Sequence, residues 1–277
     1  MISSPHDLEA RFAKQDTTSW IGDKVHCTES CEADAPHLIT HVETTAGPMA
    51  DGAVTTAIHA ALQAKQLLPR LHIVDTGYLD AELLVSTPRA YGVELLGPTR
   101  LDDHWQAQAS QGFDASRFVI DWAQRQAACP TGQRSSSWSP VLDGRHNAVI
   151  KIKFPQRACQ ACPSHLACTR ATRRTITVRP HAQYLSLQAA RRREQTAAYQ
   201  AEYAKRAGIE GTISHAVRAC GVRRARYMGA VKTHLQHVLT AAAINFLRIG
   251  HWLAGDRPAQ TRRSPFITLM KQATSAA

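Results

Sequence analysis

The stretch Leu71-His72-Ile73-Val74-Asp75-Thr76-Gly77 decides the fold class of this 277-residue chain. Its first four residues form a short, mostly apolar run, which is typical of a buried strand, and the Asp-Thr-Gly that follows predicts a turn. Ligands collect at the carboxyl ends of strands in open α/β sheets, so the carboxylate of Asp75 is a candidate metal ligand. The other interpretation of Asp75 is a turn residue or a helix N-cap.

Strands and helices alternate on either side of this run. The predicted order is strand 20–28, strand 37–44, a helix opened by Asp51, strand 71–74, helix 81–86 and strand 93–96. Because helices connect the last strands, we expect those strands to be parallel. Short strands are predicted within residues 99–169, and at least three helical segments within residues 181–254. The last helix is expected to turn one apolar stripe toward the core, namely Val231, Leu235, Val238, Ala242, Ile249 and Leu253.

These patterns predict a protein of the α/β class with five segments along the chain. The segments are a linker or arm at residues 1–19, an α/β core at 20–98 that carries Asp75, a cysteine-rich insertion at 99–180, a helical region at 181–254 that carries Glu210, and a basic tail at 255–277.

The charge of the chain is divided unequally between its two parts. Residues 1–110 contain 7 Lys or Arg and 15 Asp or Glu, a net charge of −8, whereas residues 111–277 contain 26 and 7, a net charge of +19. The formal net charge of the whole chain is +11. A strongly basic second part favours a polyanionic partner such as nucleic acid.

Neither a run of about 18 apolar residues nor a signal peptide is present, so the sequence predicts no membrane span and a cytoplasmic location.

The basic residues of the second part fall into three clusters. They are Arg170, Arg173, Arg174 and Arg179; Arg191, Arg192 and Arg193; and Arg218, Arg223, Arg224, Arg226 and Lys232. Arginine makes forked contacts with phosphate oxygens, so we favour DNA as the partner over a merely solvated positive face. Such binding should weaken steeply with salt.

A second candidate acid is Glu210, which lies in this basic region. The spacing of Tyr203, Arg206 and Glu210 predicts that the three side chains share one face of a helix. A surface ion pair is the other interpretation of Glu210. Together with Asp75 and a third carboxylate, Glu210 would be able to hold two divalent ions for phosphoryl transfer.

Four of the seven cysteines have a spacing that suits a metal. Cys159 and Cys162 form a Cys-x-x-Cys pair, Cys168 follows, and Cys129 precedes. Four thiolates fit tetrahedral zinc, and the other interpretation is a set of buried free cysteines. Zn²⁺ is therefore a possible structural cofactor of the insertion.

Seven stretches of the sequence together resemble a known family. They are WIGDKVH at 20–26, PHLITHV at 36–42, VDTGYLD at 74–80, CQACP at 159–163, RAGIEGT at 206–212, RARY at 224–227 and KTHLQH at 232–237. The chain resembles the C-terminal part of a bacterial insertion-sequence transposase of the DDE type. The branch is the IS4-like one with a cysteine-rich insertion before the catalytic Glu.

This resemblance implies a fold, an activity and partners. It implies an RNase H-like core in which three acids bind two Mg²⁺ (or Mn²⁺) ions and transfer strands of terminal-repeat DNA to a target, with a homodimer as a possible form of the DNA complex. Asp75 corresponds to the second Asp and Glu210 to the Glu. Tyr203 and Arg206 fit the family signature Tyr-x2-Arg-x3-Glu-x6-Lys, whereas Val217 stands at its Lys position with Arg218 beside it.

The first Asp of the family has no counterpart on a predicted strand. Only two strands are predicted before the helix at Asp51, whereas the family has three, so the resemblance implies that the first strand and its Asp lie upstream of Met1. The core is then incomplete, and the chain is expected to be a truncated or inactive copy with little or no strand transfer by itself. The loss of a central strand should leave a gap or a re-paired edge in the sheet.

Two other functions remain open at this point. One is a non-catalytic DNA-binding module with a structural zinc site, in which DNA binding would survive the loss of Asp75 and Glu210. The other is a metal-dependent nuclease unrelated to transposition, which would cleave DNA without preference for terminal repeats.

Overall fold

The structure, a computed structural model, describes residues 3–15 and 17–257. The chain divides into two units, of which the first comprises Met1–Tyr78 and Ala197–Ala277 and the second comprises Leu79–Thr196. The second unit therefore starts upstream of the insertion boundary expected at residue 99. The basic tail expected at 255–277 lies outside the described residues from residue 258 onward.

Three antiparallel strands open the first unit. They are β1 (Arg11–Gln15), β2 (Thr18–Glu29) and β3 (Ile39–Ala46). β1 pairs with residues 18–22 of β2, and β3 pairs with residues 23–29. The long strand β2 is therefore the centre of this small sheet.

The expectation of a linker or arm at residues 1–19 is wrong for residues 11–15, which form β1. The prediction of only two strands before the first helix is wrong for the same reason, so the number of strands no longer argues for a missing one. β1 has little strand character of its own, since Ala13 is its buried residue and Phe12 is 55% exposed. It is a strand because β2 supplies its hydrogen-bond partners, a tertiary effect that local sequence does not report.

The first helix forms as its periodicity predicts. A 3₁₀ turn at Asp51–Ala53 leads into α1 (Thr55–Ala64). The side chains of Val54, Ile58 and Leu62 are buried together, four residues apart. β4 (Leu71–Ile73) follows α1, and it pairs with none of β1, β2 and β3 within the described part of the chain.

The second unit is one contiguous segment of mixed strands and short helices. Its elements are α2 (Leu83–Tyr91), β5 (Glu94–Leu96), α3 (Trp105–Ala109), β6 (Val119–Asp121), β7 (Gln126–Ala128), β8 (Ser137–Leu142), β9 (Ala148–Lys153), α4 (Gln156–Gln160), α5 (His165–Cys168), β10 (Thr175–Val178) and α6 (His181–Glu194). β9 is central in an antiparallel sheet with the order β10-β9-β8, and β6 pairs with β7. Apolar side chains from β9 and β10, among them Ile152, Phe154 and Ile176, form the core of this unit with Phe118.

Three helices return the chain to the first unit. They are α7 (Ala197–Ala204), α8 (Ala207–Cys220) and α9 (Ala230–Leu253). α9 packs on β3, where Ile244 is buried against Ile39. The Asn245 side chain accepts a hydrogen bond from the Ile39 N–H at 2.8 Å and donates to its carbonyl at 2.9 Å, which fixes the register of helix and strand.

None of the helices in residues 3–15 and 17–257 is both long and apolar enough to cross a membrane.

The predicted core face of α9 is wrong. Val231 and Leu253 are 83% and 80% exposed, and Leu235 is 53% exposed. The buried residues of α9 are instead Thr233, Gln236, His237, Ala241 and Ile244. Polar residues lie on this face because they have specific partners; His234 and His237, for example, lie 3.0 and 2.8 Å from the hydroxyl of Thr44 on β3. Hydrophobic periodicity alone therefore selected the opposite side of the helix.

Candidate functional site

Asp75 and Glu210 meet at one guanidinium group in the first unit. Arg206 Nη2 lies 3.4 Å from Asp75 Oδ2, and Arg206 Nη1 lies 3.1 Å from Glu210 Oε1. The carboxylate side chains are 52% and 71% exposed, whereas that of Arg206 is only 23% exposed. Folding thus brings two acids from distant parts of the chain to one place that water, ions and a large substrate can reach.

A short turn holds Asp75 just beyond the end of β4. Asp75 accepts hydrogen bonds from the Thr76 N–H at Oδ1 (2.7 Å) and from the Tyr78 N–H at its carbonyl (3.0 Å). The Tyr78 hydroxyl is hydrogen-bonded to Nδ1 of His26 on β2 at 2.6 Å, and the Thr55 hydroxyl on α1 donates to the Tyr78 carbonyl at 2.9 Å. Burial raises the pKa of Tyr78 and lowers the pKa of His26, so both groups are neutral and this anchor persists at neutral pH.

Gly77 allows the same turn to pack closely on Asp51. A Cβ atom added at Gly77 would lie 2.9 Å from Asp51 Oδ2, closer than van der Waals contact permits. Asp51 in turn accepts a hydrogen bond from Lys24 Nζ on β2 at 3.0 Å and makes no helix cap with its side chain. A larger residue at position 77 would therefore have to displace the Asp51 carboxylate, which ties the start of the first helix to β2 through Lys24.

Arg206 lies at the junction of α7 and α8. The prediction that Tyr203, Arg206 and Glu210 lie on a single helix is wrong, because Tyr203 belongs to α7 and Glu210 to the first turn of α8. Gly208 lies beside this junction, where its low helix propensity weakens continuity. The three side chains are nevertheless neighbours, as their spacing predicts, since Arg206 contacts both Tyr203 and Glu210. The start of a helix also favours a negative charge at Glu210.

A cleft of about 810 Å³ opens beside the two carboxylates, within the first unit. Residues 25–32 line it consecutively, as the edge of a strand does, and Ile58 from α1 and Ile213 from α8 supply apolar walls. Residues 23–29 of β2 pair only with β3 among the described strands, so their other edge has no strand partner. The cleft has the size of a typical ligand pocket, but its walls include an open strand edge.

A third carboxylate does not join Asp75 and Glu210 in the described residues, since no group of three potential metal ligands includes either of them. Glu29 lines the cleft, but its side chain is only 6% exposed and is already bonded to Arg248 Nη1 at 2.9 Å and to the Thr212 hydroxyl. Asp23, also on β2, is not among the cleft residues, and burial raises its pKa. The observed site therefore offers two exposed acids, both of which contact Arg206.

The predicted DNA-contacting cations of the last cluster are all exposed in the first unit. They are Arg218 at the end of α8, Arg223, Arg224 and Arg226 in the turn that follows, and Lys232 in the first turn of α9. We call residues 221–229 the basic turn. Gln236 on α9 holds this turn in place, because its side chain accepts from the Arg226 N–H (2.8 Å) and donates to the Arg224 carbonyl (2.9 Å). None of the five cations forms a salt bridge within the described residues, so their charge is available to phosphates.

Other arginines of the predicted basic clusters have structural partners in the second unit. Arg193 bonds to the Glu94 carboxylate and donates to the Leu95 carbonyl at 3.0 Å, and Arg191 donates to the carbonyl of Arg100. Arg174 is only 9% exposed. These side chains hold the unit together, and we do not count them as a phosphate-binding surface.

The four predicted zinc ligands line one small cavity in the second unit. Cys129, Cys159, Cys162 and Cys168 surround a space of about 30 Å³ together with His165. Burial raises the pKa of Cys168, and the other three thiols raise it further against the opposing charge of a nearby arginine. No three of the thiol sulfur and imidazole nitrogen atoms lie within 4.8 Å of one another in the described residues. The fold thus gathers the thiols without bringing them into coordination geometry.

His165 was not selected from the sequence, although a signal for it exists. It lies three residues after Cys162 and three before Cys168, so the segment reads Cys-x2-Cys-x2-His-x2-Cys from Cys159. Its Nδ1 lies 2.7 Å from the Cys159 carbonyl oxygen. Regular spacing of histidine with cysteine is the pattern that would have identified it.

One other group of potential ligands lies in the second unit, well apart in sequence from the acids above. Asp102, Asp103 and His104 place three ligand atoms within 4.8 Å of one another. His104 Nδ1 lies 2.5 Å from Asp102 Oδ1, so a local hydrogen bond accounts for part of this closeness. His104 and Asp103 are exposed, with 76% and 96% of their side-chain surface accessible.

Comparison with known proteins adds a family to these geometric findings. Residues 128–250 match a family model described as a transposase DDE domain. The matched range includes the cysteine cavity, Arg206, Glu210 and the basic turn, and it does not reach Asp75. The match supports a DDE transposase, a kind of protein that acts on DNA with divalent metal ions. No curated protein and no solved structure matches the chain.

Proposed function

We propose that this chain functions in DNA transposition, as a DDE transposase that cleaves and joins strands of terminal-repeat DNA by metal-dependent phosphoryl transfer. The observation that carries the proposal is the shared contact of Asp75 and Glu210 with Arg206 at the rim of an open cleft. The family match over residues 128–250 supports the same activity. In its cellular setting the chain would be cytoplasmic and associated with the nucleoid.

The two carboxylates suit Mg²⁺ or Mn²⁺, because both are exposed and oxygen donors are the ligands that these ions prefer. Asp75 and Glu210 would hold the ion, and Arg206, which now balances their charge, would move its guanidinium away. When bound, a divalent ion supplies stabilisation of the negative charge that develops on a transferring phosphoryl group. Arg206 then remains near the reacting phosphate as a hydrogen-bond donor, a role that suits its planar fork.

The basic turn and its neighbours would bind the DNA backbone. Arg218 and Lys232 flank this turn on α8 and α9, and α8 also carries Glu210 in its first turn. One helix thus connects the acidic site to the cationic surface. Contacts of this type position DNA without reading its sequence, so recognition of terminal repeats requires further contacts. A homodimer in the DNA complex would supply a second such surface.

The site formed by the described residues is incomplete for a mechanism with two ions. Such a mechanism uses a carboxylate that bridges both ions, and Glu29 is already engaged by Arg248. We propose that a further acid is supplied from outside the described residues, on a strand that pairs with the open edge of β2. Strand transfer by the described residues alone should then be slow or absent.

The test is a nicking and strand-transfer assay on terminal-repeat DNA from the encoding element, with Mg²⁺ or Mn²⁺. The chain is assayed alone and with a separately expressed fragment encoded immediately upstream of residue 1. We expect activity only in the mixture, and we expect its loss in Asp75→Asn and Glu210→Gln.

Glu202→Gln is the matched control for this assay. Glu202 is a similarly exposed acid on α7, but it pairs with Lys205 and not with Arg206. Activity that survives Asp75→Asn and Glu210→Gln would contradict the assigned acids, and robust cleavage by the chain alone would contradict the missing carboxylate. Cleavage without preference for terminal repeats would favour an unrelated nuclease.

A DNA-binding module without catalysis is the second candidate function. The observation that favours it is the set of five exposed cations without acidic partners, which requires neither carboxylate. The logarithm of DNA affinity should fall linearly with the logarithm of salt concentration, and the slope should grow with the number of phosphates contacted. Full, salt-dependent binding by a chain with both Asp75→Ala and Glu210→Ala, combined with no cleavage under any condition above, would favour this function over transposition.

A further inference from the structure

We propose that Cys129, Cys159, Cys162 and Cys168 bind one structural Zn²⁺ ion, and that the buried side chain of Arg174 balances the negative charge of the four thiolates. This inference concerns the second unit alone and does not depend on the proposed activity.

The first argument is the cavity that the thiols surround. A space of about 30 Å³ holds one or two water-sized groups, which is sufficient for a single metal ion. Cys159 and Cys162 lie on a tight turn in which the Cys162 N–H donates to the Cys159 carbonyl at 3.2 Å. The Arg174 N–H points at Cys159 Sγ at 3.5 Å, a contact that stabilises a thiolate. A closed group of four sulfurs is the donor set of structural zinc sites.

The second argument is the state of Arg174. Its side chain is 9% exposed, and its guanidinium donates only to the carbonyl oxygens of Cys168 and Phe113, each at 3.3 Å. Its Nε atom has no hydrogen-bond partner, and it forms no salt bridge, within residues 3–15 and 17–257. Asp102 and Asp114 are near enough to act on its charge but form no salt bridge with it, and a buried cation without a direct ion pair is costly. Zinc with four thiolates carries a net charge of −2, which would place a closer counter-charge beside the guanidinium.

Binding requires rotation of the cysteine side chains about their χ1 torsions. The sulfur atoms are too far apart for Zn–S bonds of about 2.3 Å, but each cysteine has a single side-chain torsion with three staggered positions. Each thiol releases its proton to solvent on binding, so affinity should rise with pH. We assign His165 a positioning role, since its Nδ1 is already bonded to the Cys159 carbonyl at 2.7 Å.

The experiment measures metal content of the full chain by plasma mass spectrometry after expression with added zinc and removal of loosely bound metal. We expect one zinc per chain, and thiolate-to-cobalt charge-transfer absorption after replacement with Co²⁺. Cys129→Ser and Cys162→Ser should lose the metal, whereas Cys27→Ser and Cys220→Ser should keep it. Arg174→Met, which leaves all four thiols intact, should weaken zinc affinity by about tenfold to a hundredfold, and Arg174→Lys should restore most of it.

Several results would overturn the proposal. One is a chain that folds without metal, shown by an unchanged circular dichroism spectrum and no zinc or cobalt uptake. Another is iron with sulfide in place of zinc. Loss of zinc in His165→Ala combined with retention in Cys129→Ser would replace the four-thiolate set by three thiolates and an imidazole. Equal zinc affinity in Arg174→Met and the parent chain would remove the role of Arg174.

Discussion

The acidic cleft of the first unit and the cysteine cavity of the second unit both gather groups that bind metal ions, but in opposite environments. Asp75 and Glu210 are about half or more exposed, and they sit beside an opening of about 810 Å³. The four cysteines are partly buried around a space of about 30 Å³. Open oxygen sites exchange ions and admit substrate, whereas closed sulfur sites hold an ion as part of the fold. Under the two proposals above, one chain would separate chemistry from structural support.

The largest expected difference between the two units follows withdrawal of zinc. A membrane-permeant zinc chelator should destabilise the second unit by as much as about 10 kcal/mol, because structural zinc binding contributes directly to folding. Hydrogen exchange should accelerate at Ile150, Ile152 and Ile176 and remain slow in β2 and β3. Withdrawal of Mg²⁺ is the control and should change neither unit. Equal acceleration in both units would show that the cysteine cavity has no special role in stability.

A smaller effect tests the support of the acidic cleft. Arg248→Met should destabilise the first unit by about 3–5 kcal/mol, because it leaves the buried carboxylate of Glu29 without its partner. Urea unfolding followed by hydrogen exchange in β2 measures the loss. Arg218→Met, at an exposed position, should change stability by no more than about 0.5 kcal/mol. Similar values for the two variants would mean that the Glu29 ion pair does not hold α9 against the sheet.

The third prediction concerns acid sensitivity of the first unit. Burial, with repulsion from His59, lowers the pKa of His72 on β4 to about 4. The unfolded imidazole takes up a proton near pH 6.5, so stability is fully present above that value and is lost as the pH falls toward 4. We expect about 3 kcal/mol of loss from this group.

Urea unfolding of the first unit at pH 7 and pH 4.5 measures this dependence. His72→Gln removes the titrating group. The dependence of the free energy of unfolding on pH between 4.5 and 7 should then correspond to about one fewer proton taken up on unfolding. An identical pH profile in the variant would locate the acid sensitivity in other groups.

The smallest effect sharpens the description of the acidic site. Arg206→Met removes the cation that now neutralises the two carboxylates, so Mn²⁺ should bind more tightly, by less than about tenfold because the group is near solvent. Titration followed by electron paramagnetic resonance measures the affinity, with Arg218→Met as the matched control. Weaker Mn²⁺ binding in Arg206→Met would show that Arg206 assembles the site instead of competing for it.

Residue spacing and apolar runs predicted the features that side chains within a short segment determine. The apolar run at residues 71–74 gave the strand and placed Asp75 after its end, and the four-residue spacing of Val54, Ile58 and Leu62 gave the buried stripe at the start of the first helix. The spacing of the cysteines likewise singled out the four that share a cavity. In each case the side chains within a short segment determine the result.

The failures all concern features that distant residues decide. β1 is a strand because β2 pairs with it, and the buried face of α9 is polar because Gln236 and His237 bind particular groups elsewhere. The break between α7 and α8 was also missed, and the ion pair of Arg206 with Asp75, 131 positions away, is a contact that local spacing cannot report. Periodicity describes an element in isolation, and it cannot report partners that only the folded chain provides.

The path of the chain through its two units has a consequence for biosynthesis. The second unit is contiguous, so a ribosome synthesises all of it before α7, α8 and α9 of the first unit have been made. The first unit must wait, because Glu29 meets its partner Arg248 only 219 residues later, and Ile39 meets Asn245 after 206. During translation β2 and β3 therefore remain without their helical cover while the inserted unit completes. Synthesis that pauses after residue 196 would yield a folded insert on an unfinished host, a species that chaperones or proteases would encounter first.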